Sequence, residues 1–478
     1  MIVLITLFAY FMVLFLISRI TGQKATNQTF YQADHKSPWY MVAFGMIGAS
    51  ISGVTYVSVP GMVTTSSMTY LQTCLGFIPG YFIIAFGLLP LYYKSNITTI
   101  YTYLKQRIGK RAYKTGAIFF LISKMLGASL RFYLVCIILQ TFVCDKFKIP
   151  FFVTVTVMVA LIWLYTHRGG IKTLVWTDSL QTLCLFVSVI LIIVNVAEKL
   201  NMDIKETTYY IINNPLSRVF IFDDWTSPQY FWKQFISGAF IVVVMTGLDQ
   251  DMMQKNLTCR TLKSAQKDMC TYGFAFIPAN ILFLALGILL VQLAAQMNLP
   301  LPSNGDELLP MFAATGQLGT TVIILFTIGI VAASFSSADS ALTSLTTCYC
   351  IDILENNTDE KLRRLTHICI CIIFIAFIFI FKMINSEGVL NIIYILCSYT
   401  YGPLLGIFAF GILTKRQTKD KIVPVVTVIS PILCLSAHFG IPLLTGYKFG
   451  YELLLLNGLI TFIGLYIFSK KQYKQELS

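Results

Sequence analysis

The feature that most constrains this chain is its succession of long apolar runs, which leave little of its length outside them. A run of about 20 apolar residues is long enough to cross the hydrocarbon core of a bilayer. By that rule we predict thirteen membrane spans, at residues 2–20, 39–65, 70–93, 114–143, 150–166, 173–198, 232–254, 271–297, 318–350, 363–384, 388–412, 421–441 and 450–469. Only 12% of the 478 residues are charged, whereas soluble domains average about 25%. The sequence therefore predicts a polytopic membrane protein.

The spans are predicted to be helices, which makes the fold all-α. Inside a bilayer every backbone polar group needs a partner, so only helices and closed barrels can cross. Barrel strands alternate apolar and polar residues over about ten positions, but the runs here are continuous and near twenty residues long. The longest gap, 199–231, is too short for a soluble domain, and we predict a short amphipathic helix within it.

The distribution of positive charge predicts the orientation. With thirteen spans, the loops on the C-terminal side carry 25 lysines and arginines and those on the other side carry eight. Cytoplasmic loops are the ones enriched in these residues. We therefore expect a plasma or inner membrane protein with its N-terminus outside and its C-terminus in the cytoplasm. The bilayer accounts for the net charge of +13 without a nucleic-acid partner; the oligomeric state is not indicated.

The second span contains an unusual run of small and hydroxyl residues, from Gly48 to Gly61. Such a run is a poor continuous helix, and transporters use broken helices whose freed carbonyls coordinate ions. Close helix packing through small residues is the equally plausible alternative.

The ninth span has more hydroxyl groups than helix packing requires. Ser336, Ser340 and Thr343 share one helix face with Asp339. Hard oxygen donors clustered around a carboxylate suit a hard cation such as sodium. The alternative is that these hydroxyls bond back to their own helix.

Other charged residues lie inside spans, where each is expensive and marks a functional-site hypothesis. Asp178 needs an ion or a partner helix, unless backbone amides at the helix start satisfy it. Arg131 could bind a substrate carboxylate through a bidentate pair, or it could pair with a carboxylate of the protein. Lys124, seven residues earlier, is expected to extend toward the cytoplasm. Asp249, which lies close to Asp251 before the basic inner loop, could be a solvated residue at a helix end.

Three motifs together resemble the sodium:solute symporter family, and the look is nearest to its bacterial sialic acid and sugar symporters. They are GGIKTLVWTDSLQ at 169–181, GLDQDMMQKNL at 247–257 and AASFSSADSAL at 332–342. The resemblance implies the LeuT-type fold, in which two five-helix inverted repeats follow one extra N-terminal helix. The segments would be an N-terminal helix and inner loop at 1–38, repeats at 39–198 and 232–412 joined by an outer loop at 199–231, and two further helices with a C-terminal tail at 413–478.

The resemblance also implies three groups of site residues. One sodium ion would be bound by Gly48, Ile51, Ala333, Ser336 and Ser337. A second sodium, present in some members, would be bound by Asp178, Ser336, Asp339 and Ser340. The substrate would contact Ser50, Ser52, Thr55, Gln72, Arg131 and Asp249.

These patterns predict a sodium-driven symporter that imports a small organic solute by alternating access, with sialic acid as the leading candidate. A neutral sugar, inositol or another organic acid is the alternative cargo, and proton coupling is the alternative to sodium. A channel or a transporter-like sensor is the alternative from a different class. The four histidines are scattered singly, so no enzyme site is predicted.

Overall fold

The structure, a computed structural model, describes residues 2–95, 97–313, 316–384, 389–445, 447 and 449–470, so most of the predicted tail, 471–478, lies outside the described residues. The main helices are α1 (Ile2–Thr21), α2 (Trp39–Ser50), α3 (Gly53–Ser66), α4 (Tyr70–Ser95), α5 (Lys110–Leu139), α6 (Phe151–Thr166), α7 (Ile171–Lys199), α8 (Phe231–Gly247), α9 (Gln250–Asn256), α10 (Leu262–Gln296), α11 (Thr320–Ile353), α12 (Glu360–Ile384), α13 (Val389–Leu413), α14 (Val423–Thr445) and α15 (Leu453–Ile467).

The remaining elements of the described residues are short. Helical segments lie at Asn27–Gln32, Thr102–Arg107, Ile204–Asn213 and Leu308–Ala313. Near the C-terminus Gln417–Thr418 pairs with Ser469–Lys470 as two antiparallel strands. The helix Ile204–Asn213 matches the amphipathic helix predicted in the outer loop, and it begins with a reciprocal capping box between Asp203 and Glu206.

The prediction of an all-α protein with about thirteen membrane helices is confirmed. Among the described residues, eight helices are long and apolar enough to span a bilayer, and two sharply bent helix pairs pass the same test together. The shorter apolar helices α1, α6 and α15 complete the set. The largest boundary difference is at α10, predicted from 271, which begins at Leu262 because Thr261 caps a polar first turn by accepting a hydrogen bond from the Ser264 amide.

The two bent pairs open the two predicted repeats. Helices α2 and α3 meet at 61°, and α8 and α9 meet at 70°. At the first break Ile51 and Ser52 leave helical geometry, with ψ angles of 80° and 170°. At the second break Asp249 is extended, and its side chain caps α9 by accepting a hydrogen bond from the Asp251 amide.

Helices α7 and α11 pack against each other, and both contact the first bent pair. Helix α9 also reaches α11 and α2. This packing brings the three motif segments of the sequence together in the middle of the molecule.

Candidate functional site

The first break lies against the hydroxyl-rich helix α11. The Ser337 hydroxyl donates to the Ala49 carbonyl at 2.9 Å and to the Ala333 carbonyl at 3.2 Å. It also lines a small cavity beside Ser52 and Arg131. Gly48, Ile51, Ala333 and Ser337, four of the residues predicted for the first sodium, thus belong to the two segments that meet here. Carbonyl and hydroxyl oxygens are ligands suited to a hard cation.

Gly48 has a packing role that its predicted carbonyl role did not include. A Cβ atom at this position would lie 1.9 Å from the Thr182 hydroxyl oxygen and 2.9 Å from the Thr182 Cβ. Helix α2 can approach α7 this closely only because Gly48 has no side chain.

Ser336, predicted to serve both sodium ions, faces α7 instead of the break. Its hydroxyl donates to Asp178 Oδ1 at 3.2 Å. Asp178 is fully buried in the body of α7, so backbone amides at a helix start are not what satisfies it.

Lys255 lies against Asp178, although it comes directly after the predicted span 232–254 and was therefore counted among the 25 basic residues of the cytoplasmic loops. Lys255 Nζ is 2.6 Å from Asp178 Oδ2, and both side chains are buried. Lys255 belongs to α9, which extends beyond the break, and the loop assignment was therefore wrong. The sequence did contain an indication of this position: Lys255 follows Asp251 by four residues, a spacing typical of oppositely charged residues within one helix.

The other residues predicted for the second sodium lie on α11. The Tyr165 hydroxyl donates to Asp339 Oδ2 at 2.6 Å. Asp339 Oδ1 and the Ser340 hydroxyl are buried and have no hydrogen-bond partner among the described residues. One of the residues predicted for the second sodium, Asp178, is therefore paired with the ammonium group of Lys255, which the sequence analysis did not anticipate.

A cavity lies beside the two breaks. Five of the six predicted substrate residues line it: Ser50, Ser52, Thr55, Arg131 and Asp249. Aromatic side chains that the sequence analysis did not single out complete the wall, namely Tyr70, Phe77, Tyr81, Tyr272, Phe276 and Tyr401. Apolar and aromatic walls with a few polar groups are typical of small-molecule sites.

Gln72 is the predicted substrate residue that lies outside this cavity. Its amide nitrogen donates to the Gln229 carbonyl at 2.9 Å, and its amide oxygen accepts from the Ile221 amide at 3.2 Å. Gln72 thus connects the outer loop to α4. The position of Gln72 in the sequence could not show whether its side chain contacts the substrate or the loop.

The two cations of the cavity differ in their partners. Lys124 does not extend to the cytoplasm as expected, because its ammonium group lies 2.6 Å from Asp251 and 3.3 Å from Asp249 inside the protein. Asp249 also accepts a hydrogen bond from the Tyr401 hydroxyl at 2.6 Å. It is buried, so it is not a solvated helix end. Arg131 makes no ion pair and donates no hydrogen bond to the residues described.

Two hydroxyl groups of the cavity are also available. Ser52 and Thr55 make no side-chain hydrogen bond to the residues described, whereas Ser50 is hydrogen-bonded to Tyr272. The cavity thus presents one unpaired guanidinium and two free hydroxyls among apolar and aromatic walls.

Comparison with known proteins gives close agreement over nearly the whole chain. The sodium/sialic acid symporter NanT of Aliivibrio fischeri is 26% identical over 436 residues, covering 86% of this chain and 82% of the relative. The sodium/sialic acid symporter SiaT of Proteus mirabilis is 24% identical, covering 91% and 89%. The sodium/glucose cotransporter of Vibrio parahaemolyticus is 22% identical, covering 85% and 79%.

Solved structures share the architecture. The substrate-bound, outward-open state of a Na⁺-coupled sialic acid symporter superposes with a TM-score of 0.84 at 22% identity, covering 99% of both chains. A nucleobase-cation-symport-1 family transporter with bromovinylhydantoin bound gives 0.59 at 12% identity, covering 92% and 93%. The family model for sodium:solute symporters matches residues 30–421. Together with the two broken helices and the hydroxyl-rich α11, this match shows that the chain belongs to the sodium:solute symporter family.

Proposed function

We propose that this sodium-coupled symporter imports a carboxylated sugar of the sialic acid type. The observation that carries the proposal is Arg131, a guanidinium in the cavity wall with no partner among the described residues. A cation left unpaired in a low-dielectric site is costly, and a substrate carboxylate would compensate it with two parallel hydrogen bonds.

The rest of the cavity supports a sugar acid over a small monocarboxylate. Ser52 and Thr55 offer hydroxyls to the polar groups of a sugar, and the rings of Phe77 and Phe276 offer apolar faces. Two relatives of similar length are named for sodium and sialic acid.

Lys124 is a poor alternative anchor for the substrate. Its ammonium group already lies between the carboxylates of Asp249 and Asp251. These three groups leave one net negative charge, and an anionic substrate would be drawn to Arg131 instead. Asp249 would then act on a substrate hydroxyl only by giving up part of its contact with Lys124 or Tyr401.

Sodium would act at the first break. An ion bound by carbonyls of Gly48, Ile51 and Ala333 and by the Ser337 hydroxyl would join α2 and α11. That junction also carries Ser52, a wall residue of the substrate cavity. Sodium bound there would stabilise the arrangement that receives the substrate, and a difference in ion affinity between the outward and inward states would couple the two fluxes.

The proposed orientation has the N-terminus outside and the C-terminus in the cytoplasm of a plasma or inner membrane. Moving Lys255 from the loop to the interior leaves the positive charge strongly biased to one side. The surface ion pairs of Lys110 and Lys114 with Glu355 lie on that side.

The experiment is uptake into proteoliposomes that contain the purified chain. Labelled N-acetylneuraminic acid would be offered with an inward sodium gradient, with choline replacing sodium, and with an inward proton gradient. We expect uptake only with sodium, and competition by sugar acids but not by glucose or myo-inositol. Uptake of glucose or inositol without that of the acid would contradict the carboxylate proposal, and uptake driven by protons in choline would contradict sodium coupling.

A further inference from the structure

We propose that the ammonium group of Lys255 is a built-in cation that takes the place of a second sodium ion beside Asp178. The symporter would then couple a single sodium ion to each substrate. This inference rests on the proposed sodium-coupled transport, but it concerns the ion count and not the identity of the substrate.

Both carboxylate oxygens of Asp178 already have partners within the protein. Oδ1 accepts a hydrogen bond from the Ser336 hydroxyl at 3.2 Å, and Oδ2 lies 2.6 Å from Lys255 Nζ. A sodium ion could bind this carboxylate only by displacing the ammonium group or by sitting beside it. Two cations side by side repel strongly in a protein interior.

The ammonium group of Lys255 is held in place by the fold. Lys255 lies on α9, which packs against α11 and α2, and its side chain is about 2% exposed. A carboxylate inside a membrane protein needs a compensating charge, and here the chain supplies one that cannot diffuse away. Asp178 therefore needs no external ion.

Helix α11 contributes further oxygen atoms on Asp339 and Ser340, which follow Ser336 closely in the sequence. Asp339 keeps one carboxylate oxygen for Tyr165, while Asp339 Oδ1 and the Ser340 hydroxyl have no partner among the described residues. If the ammonium group were removed, Asp178 Oδ2 would also be left without a partner, on the helix α7 that packs against α11. The three would form a hard-oxygen set of the kind that binds hard cations.

The test is the number of sodium ions bound by the purified full-length protein, measured with radioactive ²²Na⁺ in detergent at equilibrium. We expect one ion per chain for the wild type and two for Lys255→Met. The matched control Lys255→Arg keeps a cation and should bind one ion. The double variant Lys255→Met with Asp178→Asn removes the freed carboxylate and should also return to one.

The same change should appear in transport. The Hill coefficient of uptake for sodium should be about 1 in the wild type and rise toward about 2 in Lys255→Met, since it is bounded by the number of coupled sites. Lys255→Gln serves the same purpose where the methionine variant does not fold. Two sodium ions bound to the wild type, or one bound to both neutral variants, would overturn the proposal.

Failure of the proposed function looks different. A protein that binds sodium in the expected numbers but takes up no sugar acid would contradict the substrate assignment alone. The ion count is scored from sodium itself, without any substrate.

Discussion

The two helix breaks at the centre of the molecule are held open by different chemistry. The break at residues 51–52 carries no charged side chain, and beside it the Ser337 hydroxyl donates a hydrogen bond to the Ala49 carbonyl. The break at residues 248–249 is surrounded by charges, because Asp249 and Asp251 share Lys124, and Lys255 two turns on holds Asp178.

The difference indicates which break exchanges ligands. Each carboxylate at the second break already contacts the Lys124 ammonium group, so that junction is held by the chain's own side chains. The first break leaves carbonyl oxygens and the hydroxyls of Ser52 and Ser337 beside a cavity, where mobile ligands can complete them. We infer that the charged break is mainly a fixed junction and that the neutral break responds to sodium and substrate.

The largest effect is expected from Lys124→Met, which breaks the charged junction. Two buried carboxylates would then lack compensation, and removing one partner of a buried ion pair costs about 3–5 kcal/mol. We expect a large drop in the melting temperature of the purified protein. Adding Asp251→Asn to this variant should recover part of the loss, and a single variant as stable as the wild type would contradict the fixed-junction interpretation.

The second-largest effect is expected at the substrate cavity beside the neutral break, from loss of the Arg131 guanidinium. Arg131→Ala removes a charge that has no protein partner, so stability should change little. A hydrogen bond to a charged group contributes about 1.5–3 kcal/mol, so the KM for sugar acid should rise roughly 10- to 100-fold, since about 1.4 kcal/mol is a factor of ten. The sodium dependence should be unchanged. Gln72→Ala is the control outside the cavity, and an equal rise in KM there would argue against a specific role for Arg131.

The sequence predicted the neutral break better than the charged one, for a physical reason. Small and hydroxyl residues from Gly48 onward weaken a helix locally, and that weakness can be seen in a single segment. The all-α fold and its spans follow in the same way from hydropathy, and they were confirmed.

The charged break depends on contacts between distant segments, which no local pattern records. Lys124 and Asp251 are far apart in sequence, and Lys255 follows a polar run that resembles a loop. Gln72 was predicted to contact the substrate because its true partners, in the outer loop, are also distant in sequence and are visible only in the folded structure. The pairing of buried charges was therefore the part that sequence could not supply.

A smaller effect is expected from Ser337→Ala, which tests the neutral break as the sodium site. The hydroxyl contributes one ligand, and a single neutral hydrogen-bonding group is worth about 0.5–1.5 kcal/mol. The sodium concentration for half-maximal uptake should rise roughly 2- to 10-fold, with the protein inserted normally. Ser344→Ala is the matched control on the same helix, because within the described part of the chain that hydroxyl bonds only to the Ala341 carbonyl of its own helix. Equal shifts in both variants would contradict the assignment.

The smallest loss of stability is expected from breaking an exposed lysine–carboxylate pair, whose lysine lies on α5 like Lys124 but near the surface. Ten residues before Lys124, Lys114 lies 2.7 Å from Glu355, and Lys110 lies 3.1 Å from it. Hydrogen bonds from Lys114 and Lys110 lower the pKa of Glu355 to about 2.

A lowered carboxylate pKa adds stability above the ordinary value of about 4.3, and that stability is lost as the pH falls toward 2. The group is exposed, so water and salt screen the pair and the gain at neutral pH is small. We expect Glu355→Gln to lower the melting temperature only slightly at pH 7 and low salt, with the difference vanishing in high salt or acid. If Glu355→Gln destabilised the protein as much as Lys124→Met does, burial would not be what makes the second break rigid.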